Sequence, residues 1–189
     1  MTVDSSHAAD RADMIALGEG DDLALNRLMT RWERPLRSFL FRSTQNEHTA
    51  TDLAQESFVR VYQHRFRFRE DAKFSTWLFQ IAINLARDHA RRSQHRSPIG
   101  WKTAPEGIDE HSPALALAET EKITAIRNAI AQLPGDFREA LLLSTYEQKS
   151  HAEIAELVGA SAKAVENRIY RARALLKKAL VRFLPDGSN

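Results

Sequence analysis

Residues 150–180, "SHAEIAELVGASAKAVENRIYRARALLKKAL", constrain the fold more than any other stretch of this chain. Apolar residues recur at helical spacing on both sides of one glycine, so two helices must meet at Gly159. Ser150 and Glu153 fit a capping box, in which each side chain satisfies an orphan amide at a helix start. Ile154, Leu157 and Val158 give the first helix its buried face. Gly159 accepts the left-handed backbone that a sharp turn demands, and Ser161 suits the cap of the next helix. In that helix Val165, Ile169, Ala172, Leu176 and Ala179 fall on one stripe, of which Val165 and Ile169 pack back against the first helix. The opposite face holds Glu166, Asn167, Tyr170, Arg171, Ala174, Lys177 and Lys178. Short helix, glycine turn, second helix with a basic outer face: this is the helix-turn-helix pattern.

A merely solvated face has no need of an aromatic ring flanked by Asn and Arg, whereas a face that reads base edges uses all three. Glu166 suits cytosine N4, Asn167 adenine and Arg171 guanine. Lys163, Arg168, Arg173, Lys177 and Lys178 suit phosphates. The bland alternative is a helical hairpin with a solvated basic face, and Tyr170 is what argues against it.

Charge is sorted into blocks that the net value of +2 conceals. Residues 1–25 hold six acids and one Arg, whereas 60–96 hold nine Lys or Arg against three acids. Residues 103–121 hold five acids and no Lys or Arg, and 163–182 hold seven bases against Glu166. Two basic segments separated by an acidic one suggest two contacts with a polyanion, joined by something that avoids it. The absence of cysteine excludes disulfides and thiolate metal sites. No apolar run reaches membrane length, and the polar start "MTVDSSHAADRADM" is unlike a signal peptide, so a cytoplasmic protein with no membrane insertion is expected.

The expected fold is all-α: a helical bundle over 10–96, a flexible acidic linker over 97–118, and a helix-turn-helix domain over 119–184. The linker assignment rests on its prolines, glycines and acids. In the first domain, 22–42 has helical period with a kink or break expected at Pro35. A helix over 49–64, capped by Thr49 or Thr51, would bury Leu53, Phe58, Val61 and Tyr62. Residues 66–74, "FRFREDAKF", have no helical period and form a loop with three phenylalanines. A helix over 75–92, capped by Ser75, would turn Leu78, Ala82, Leu85 and His89 inward and Trp77, Gln80, Asn84, Arg87 and Arg91 outward. Basic groups interleaved with aromatics hold single-stranded nucleic acid, and Trp77 and Asn84 are the better-placed candidates.

With these residues in view, "TDLAQESFVRVYQHRFRFREDAKFSTWLFQIAINLARDHARR" resembles the second region of bacterial sigma factors. "AIAQLPGDFREALLLSTYEQKSHAEIAELVGASAKAVENRIYRARALLKKAL" resembles their fourth. Short length and two regions only resemble the extracytoplasmic-function subgroup. The resemblance implies a non-enzymatic initiation subunit without cofactor or metal. It implies that Asp52, Leu53, Gln55, Glu56 and Arg60 bind the clamp helices of the polymerase β′ subunit. It also implies that Phe68, Lys73, Phe74, Asn84, Arg87 and Arg91 serve the single-stranded minus-ten element, with Trp77 at the melting edge. Lys163, Glu166, Asn167, Arg168, Tyr170, Arg171, Arg173 and Lys177 would then serve the duplex minus-thirty-five element. The fourth region would touch the β flap, the linker would enter the polymerase cleft, and an anti-sigma factor or other regulator is expected.

The chain departs from the family pattern in three places. Arg69 is followed directly by Glu70 where many members have a glycine. "TATD", 49–52, replaces a more acidic stretch, which makes Thr49 and Thr51 candidates for phosphorylation as well as for capping. Glu166 stands where a basic residue is common. The competing reading is a stand-alone helix-turn-helix regulator that binds a palindromic duplex as a dimer. An enzyme is disfavoured, because the seven histidines are scattered and no H-E-x-x-H, G-x-S-x-G or phosphate-cradling loop occurs. The acidic start, 1–20, suggests no function.

Overall fold

A computed structural model of the chain describes residues 3–96 and 115–183, with side chains over 7–93 and 121–183. All regular structure among them is helical. The first unit comprises α1 (Val3–Gly18), α2 (Leu23–Thr44), α3 (Glu47–Gln63), a 3-10 turn (Arg65–Arg67) and α4 (Phe74–Arg96). The second comprises α5 (Leu115–Ala131), α6 (Gly135–Thr145), α7 (His151–Val158), α8 (Ala162–Ala179) and a 3-10 turn (Val181–Phe183). By compactness the boundary falls inside the last turn of α2, with 42–46 grouped with the second unit. The expected linker lies outside the described residues as far as 114, and 115–118 already open α5.

The acidic start is a structural helix. Asp10 and Asp13 of α1 are buried, and two arginines one turn apart on α2 meet them. Arg31 donates to Asp10 at 2.8 Å and to Asp13 at 2.5 Å, Arg27 donates to Asp13 at 2.6 Å, and the Trp32 indole N–H reaches both Asp10 oxygens at 3.0 Å. Met14 and Leu17 complete the buried face. Buried carboxylates persist only when paired and hydrogen-bonded, as these are.

Of the kink or break expected at Pro35, the break does not occur: α2 runs through it from Leu23 to Thr44. Ala24, Leu28, Leu36, Phe39 and Leu40 form one buried stripe that stays in phase through it, so packing outweighs the lost backbone bond. Phe39, Trp32, Phe74 and Phe79 then build an aromatic core with edge-on rings 5.3 to 6.4 Å apart. α3 begins at Glu47, so neither Thr49 nor Thr51 is its cap; Thr51 Oγ1 instead donates to the Glu47 carbonyl at 3.0 Å. Ser75 likewise lies inside α4 and is buried. Tyr62 and His89, expected inside, are exposed, and Ala54 and Ile83 fill the inner faces.

In the second unit Arg138 of α6 donates to the carbonyls of Ile130, Ala131 and Leu133, closing the end of α5. Leu133, Leu141 and Ala172 form a buried cluster under Phe137 and Leu176. α8 packs on α6 and α7.

Candidate nucleic-acid interface

The helix-turn-helix forms as its residues dictate. Ser150 Oγ accepts from the Glu153 amide at 3.2 Å while Glu153 accepts from the Ser150 amide at 2.9 Å, which completes the capping box. Gly159 sits at φ 68°, ψ 46°, the left-handed conformation expected of it. Ser161 caps α8 by accepting from the Ala164 amide at 3.2 Å. Val165, Ile169 and Ala172 face inward and are buried. Glu166, Asn167, Arg171, Arg173, Lys177 and Lys178 are exposed, and Tyr170 is 75% exposed.

Three charges on α8 are already engaged. Lys163 Nζ lies 2.8 Å from Glu166, and this hydrogen bond holds the Glu166 carboxyl below its ordinary pKa. Glu166 therefore presents a carboxylate whose charge is partly balanced on its own helix. Arg168, expected on phosphate, is half-buried and lies 3.2 Å from Asp136 of α6. It sits between the two faces of α8, where it ties α8 to α6.

The first unit presents a second surface. Loop 68–73 and the outer face of α4 carry Phe68, Lys73, Trp77, Gln80, Asn84, Arg87 and Arg91. Gln80 and Asn84 are exposed, Trp77 and Arg87 are half-buried, and Arg91 is paired with Asp88. The Phe68 ring lies 5.5 Å from Trp77 and 6.3 Å from Phe74. Phe74, expected to touch bases, is 2% exposed. As the first residue of α4 it points into the core and forms the floor on which Phe68 and Trp77 rest. Arg69 grips Asp71 within the loop at 2.6 Å and holds its carboxyl below the ordinary value, while Arg11 of α1 reaches Glu70 at 3.0 Å.

α3 carries a third surface. Asp52, Gln55 and Glu56 are exposed; Asp52 lies 2.9 Å from His48 and Glu56 lies 3.0 Å from Arg60, each pair one helical turn apart. Leu53, expected at this surface, is 7% exposed, because the helical period turns it to the opposite side with Ala50, Ser57 and Val61. Val59, Tyr62 and Phe66 were not singled out for this face, yet they continue it at helical spacing and are 47%, 36% and 73% exposed. The Arg65 guanidinium stacks on both the Tyr62 and the Phe66 ring, at 4.4 and 4.3 Å. The 3,4-spacing from Gln55 through Val59 to Tyr62 was the signal available for them.

These surfaces have counterparts in known proteins. A sigma-70 region 2 model matches residues 28–96, and a sigma-70 region 4 model matches 123–176. The RNA polymerase sigma-H factor of Pseudomonas aeruginosa is 33% identical over 170 residues, spanning 85% of this chain and 88% of that one. The extracytoplasmic-function RNA polymerase sigma factor SigW of Bacillus subtilis is 30% identical over 171 residues, 86% of this chain and 91% of its own. The chain belongs to the extracytoplasmic-function sigma factors. A solved structure of CnrH in complex with the cytosolic domain of CnrY covers 92% of this sigma factor and 98% of CnrH, with TM-score 0.70 and 27% identity. Bartonella quintana RpoE, solved in complex with the anti-sigma factor NepR, shares the fold at TM-score 0.70 and 19% identity, over 82% of this chain and 96% of that one. Sigma factors are transcription factors that serve RNA polymerase in promoter recognition, and they are not enzymes. Among the described residues no helix is long and apolar enough to cross a membrane.

Proposed function

We propose that this sigma factor brings core RNA polymerase to two-part promoters and opens them by capturing unstacked bases. The supporting observation is that each family region presents exposed polar residues that its own core leaves out: Asn167, Tyr170 and Arg171 in one, and Gln80 and Asn84 in the other, the latter beside half-buried Trp77. The domains would be 10–96 and 119–184, with the part of the linker ahead of α5 passing through the polymerase cleft. α8 would enter the major groove of the minus-thirty-five element, reading bases with Glu166, Asn167, Tyr170 and Arg171 and phosphates with Arg173, Lys177 and Lys178. Loop 68–73, with Asn84, would take the extruded minus-ten base, with Trp77 at the edge of the bubble and Lys73, Arg87 and Arg91 along the strand. Unstacking costs a few kcal/mol per step, which such contacts offset.

Asp52, Gln55, Glu56 and Arg60 would meet the clamp helices of β′, and the second unit would meet the β flap. Phosphorylation of Thr49 or Thr51 would add charge beside Asp52 and strengthen that contact, which Thr49→Glu and Thr51→Glu should reproduce. An anti-sigma factor in the cytoplasm would hold the free protein in check. The deciding experiment is co-elution with purified bacterial core polymerase on a sizing column at moderate salt. A stoichiometric complex is expected. A folded chain that elutes apart from core polymerase, both unmodified and with either Glu variant, and that protects a palindromic duplex by itself, would overturn the assignment in favour of a dimeric regulator.

A further inference from the structure

The region 2 match begins at residue 28, so α1 lies outside it, yet the base-reading loop is braced against α1. The helix is fixed from within by Asp10 and Asp13 on Arg27, Arg31 and Trp32, and by buried Met14 and Leu17. Two routes run from it to loop 68–73. One is polar: Arg11, next to Asp10, donates through Nη2 to Glu70 Oε2 at 3.0 Å, in the middle of the loop. The other is aromatic. Trp32, whose indole N–H is held by Asp10, sets its ring edge-on to Phe74 at 6.4 Å where the loop joins α4, and Phe74 supports Phe68 and Trp77. Arg11 also balances the Glu70 carboxylate, an anion on a surface that must receive a polyanion.

We propose that α1 is a positioning element for minus-ten base selection, in which Arg11, through Glu70, sets the shape of the loop. The proposal rests on loop 68–73 reading a minus-ten base. The ion pair is 55% and 62% exposed, so its loss should spare the fold while freeing the loop.

The test uses holoenzymes of the full chain with bacterial core polymerase and a pool of promoter-length duplexes randomised over the minus-thirty-five and minus-ten regions. Heparin-resistant complexes are sequenced for wild type, Arg11→Ala, Arg11→Glu and the double variant Arg11→Glu with Glu70→Arg. Arg11→Ala should lower minus-ten base enrichment about two- to fivefold, the range of an exposed ion pair, with minus-thirty-five enrichment and Tm unchanged. Arg11→Glu should lose more, and the double variant should regain the wild-type preference. Unchanged minus-ten enrichment in Arg11→Ala, or a loss that the double variant leaves uncorrected, overturns the role of Arg11. A wild type that enriches minus-thirty-five bases but no minus-ten base overturns the base-reading role of the loop itself, and this proposal with it.

Discussion

Asp52 and Leu53 are neighbours in the chain, but one faces solvent and the other is 7% exposed. Their substitutions should therefore fail differently. Leu53→Ala is expected to cost about 2–5 kcal/mol of unfolding free energy, read from urea melts. Asp52→Ala should change stability by less than about 0.5 kcal/mol and weaken co-elution with core polymerase. The same contrast holds on α8. Arg171→Ala should cost about 1–3 kcal/mol in duplex binding and relax choice at one base position, whereas Lys177→Ala should weaken all duplexes alike and reduce the salt slope by about one. Both follow from anisotropy titrations across a salt series. Residue fates were legible where helical period decided Val165, Ile169 and Tyr170, whereas the same period put Tyr62 and His89 inside and both are exposed. Nor were fates legible where a side chain lies between faces: Arg168 reads as an outward cation in sequence, and only the placement of α6 brings Asp136 to it.

At the scale of elements, α7 and α8 were readable to the residue because their caps and turn are local chemistry: Ser150 with Glu153, Gly159, Ser161. α1 was not readable, because six acids in the first 25 residues look like a solvated tail until the arginines that neutralise Asp10 and Asp13 are placed on the next helix. That pairing sets a pH dependence. Burial raises the Asp13 carboxyl, but hydrogen bonds from Arg31 and Arg27 outweigh it and leave the pKa below its ordinary value. A depressed folded pKa means stability that is complete above the unfolded value, about 3.9, and is lost as pH falls toward the folded one. Urea midpoints should drop below about pH 4, and Asp13→Asn should flatten that drop while lowering the midpoint at pH 7. Asp21, also held low by Arg27, will leave some slope in the variant. At Pro35 the local rule allowed a kink or a break, and the in-phase stripe from Ala24 to Leu40 carries the helix through without a break.

For the whole molecule, an all-α chain with two charged surfaces was legible in the sequence, and the segments that carry them, 28–96 and 123–176, match two regions of one family. What it concealed were the non-local supports: α1 beneath the loop, and the burial of Phe74 that turns a candidate contact into a floor. Two independent surfaces imply that their losses combine on DNA carrying both elements. Arg171→Ala with Asn84→Ala should reduce promoter opening by about the product of the single effects, measured by permanganate reactivity of the bubble, because sites in separate units add in free energy. The buried pairing of α1 with α2 also limits what can be exchanged between related chains. A chimera cut where the family match starts, at residue 28, would keep Arg31 and Trp32 but take away Asp10, Asp13 and Arg27. The graft would inherit a half-buried cation, Arg31, facing a foreign helix. The transplantable piece begins at Val3, a full helix before the region 2 match.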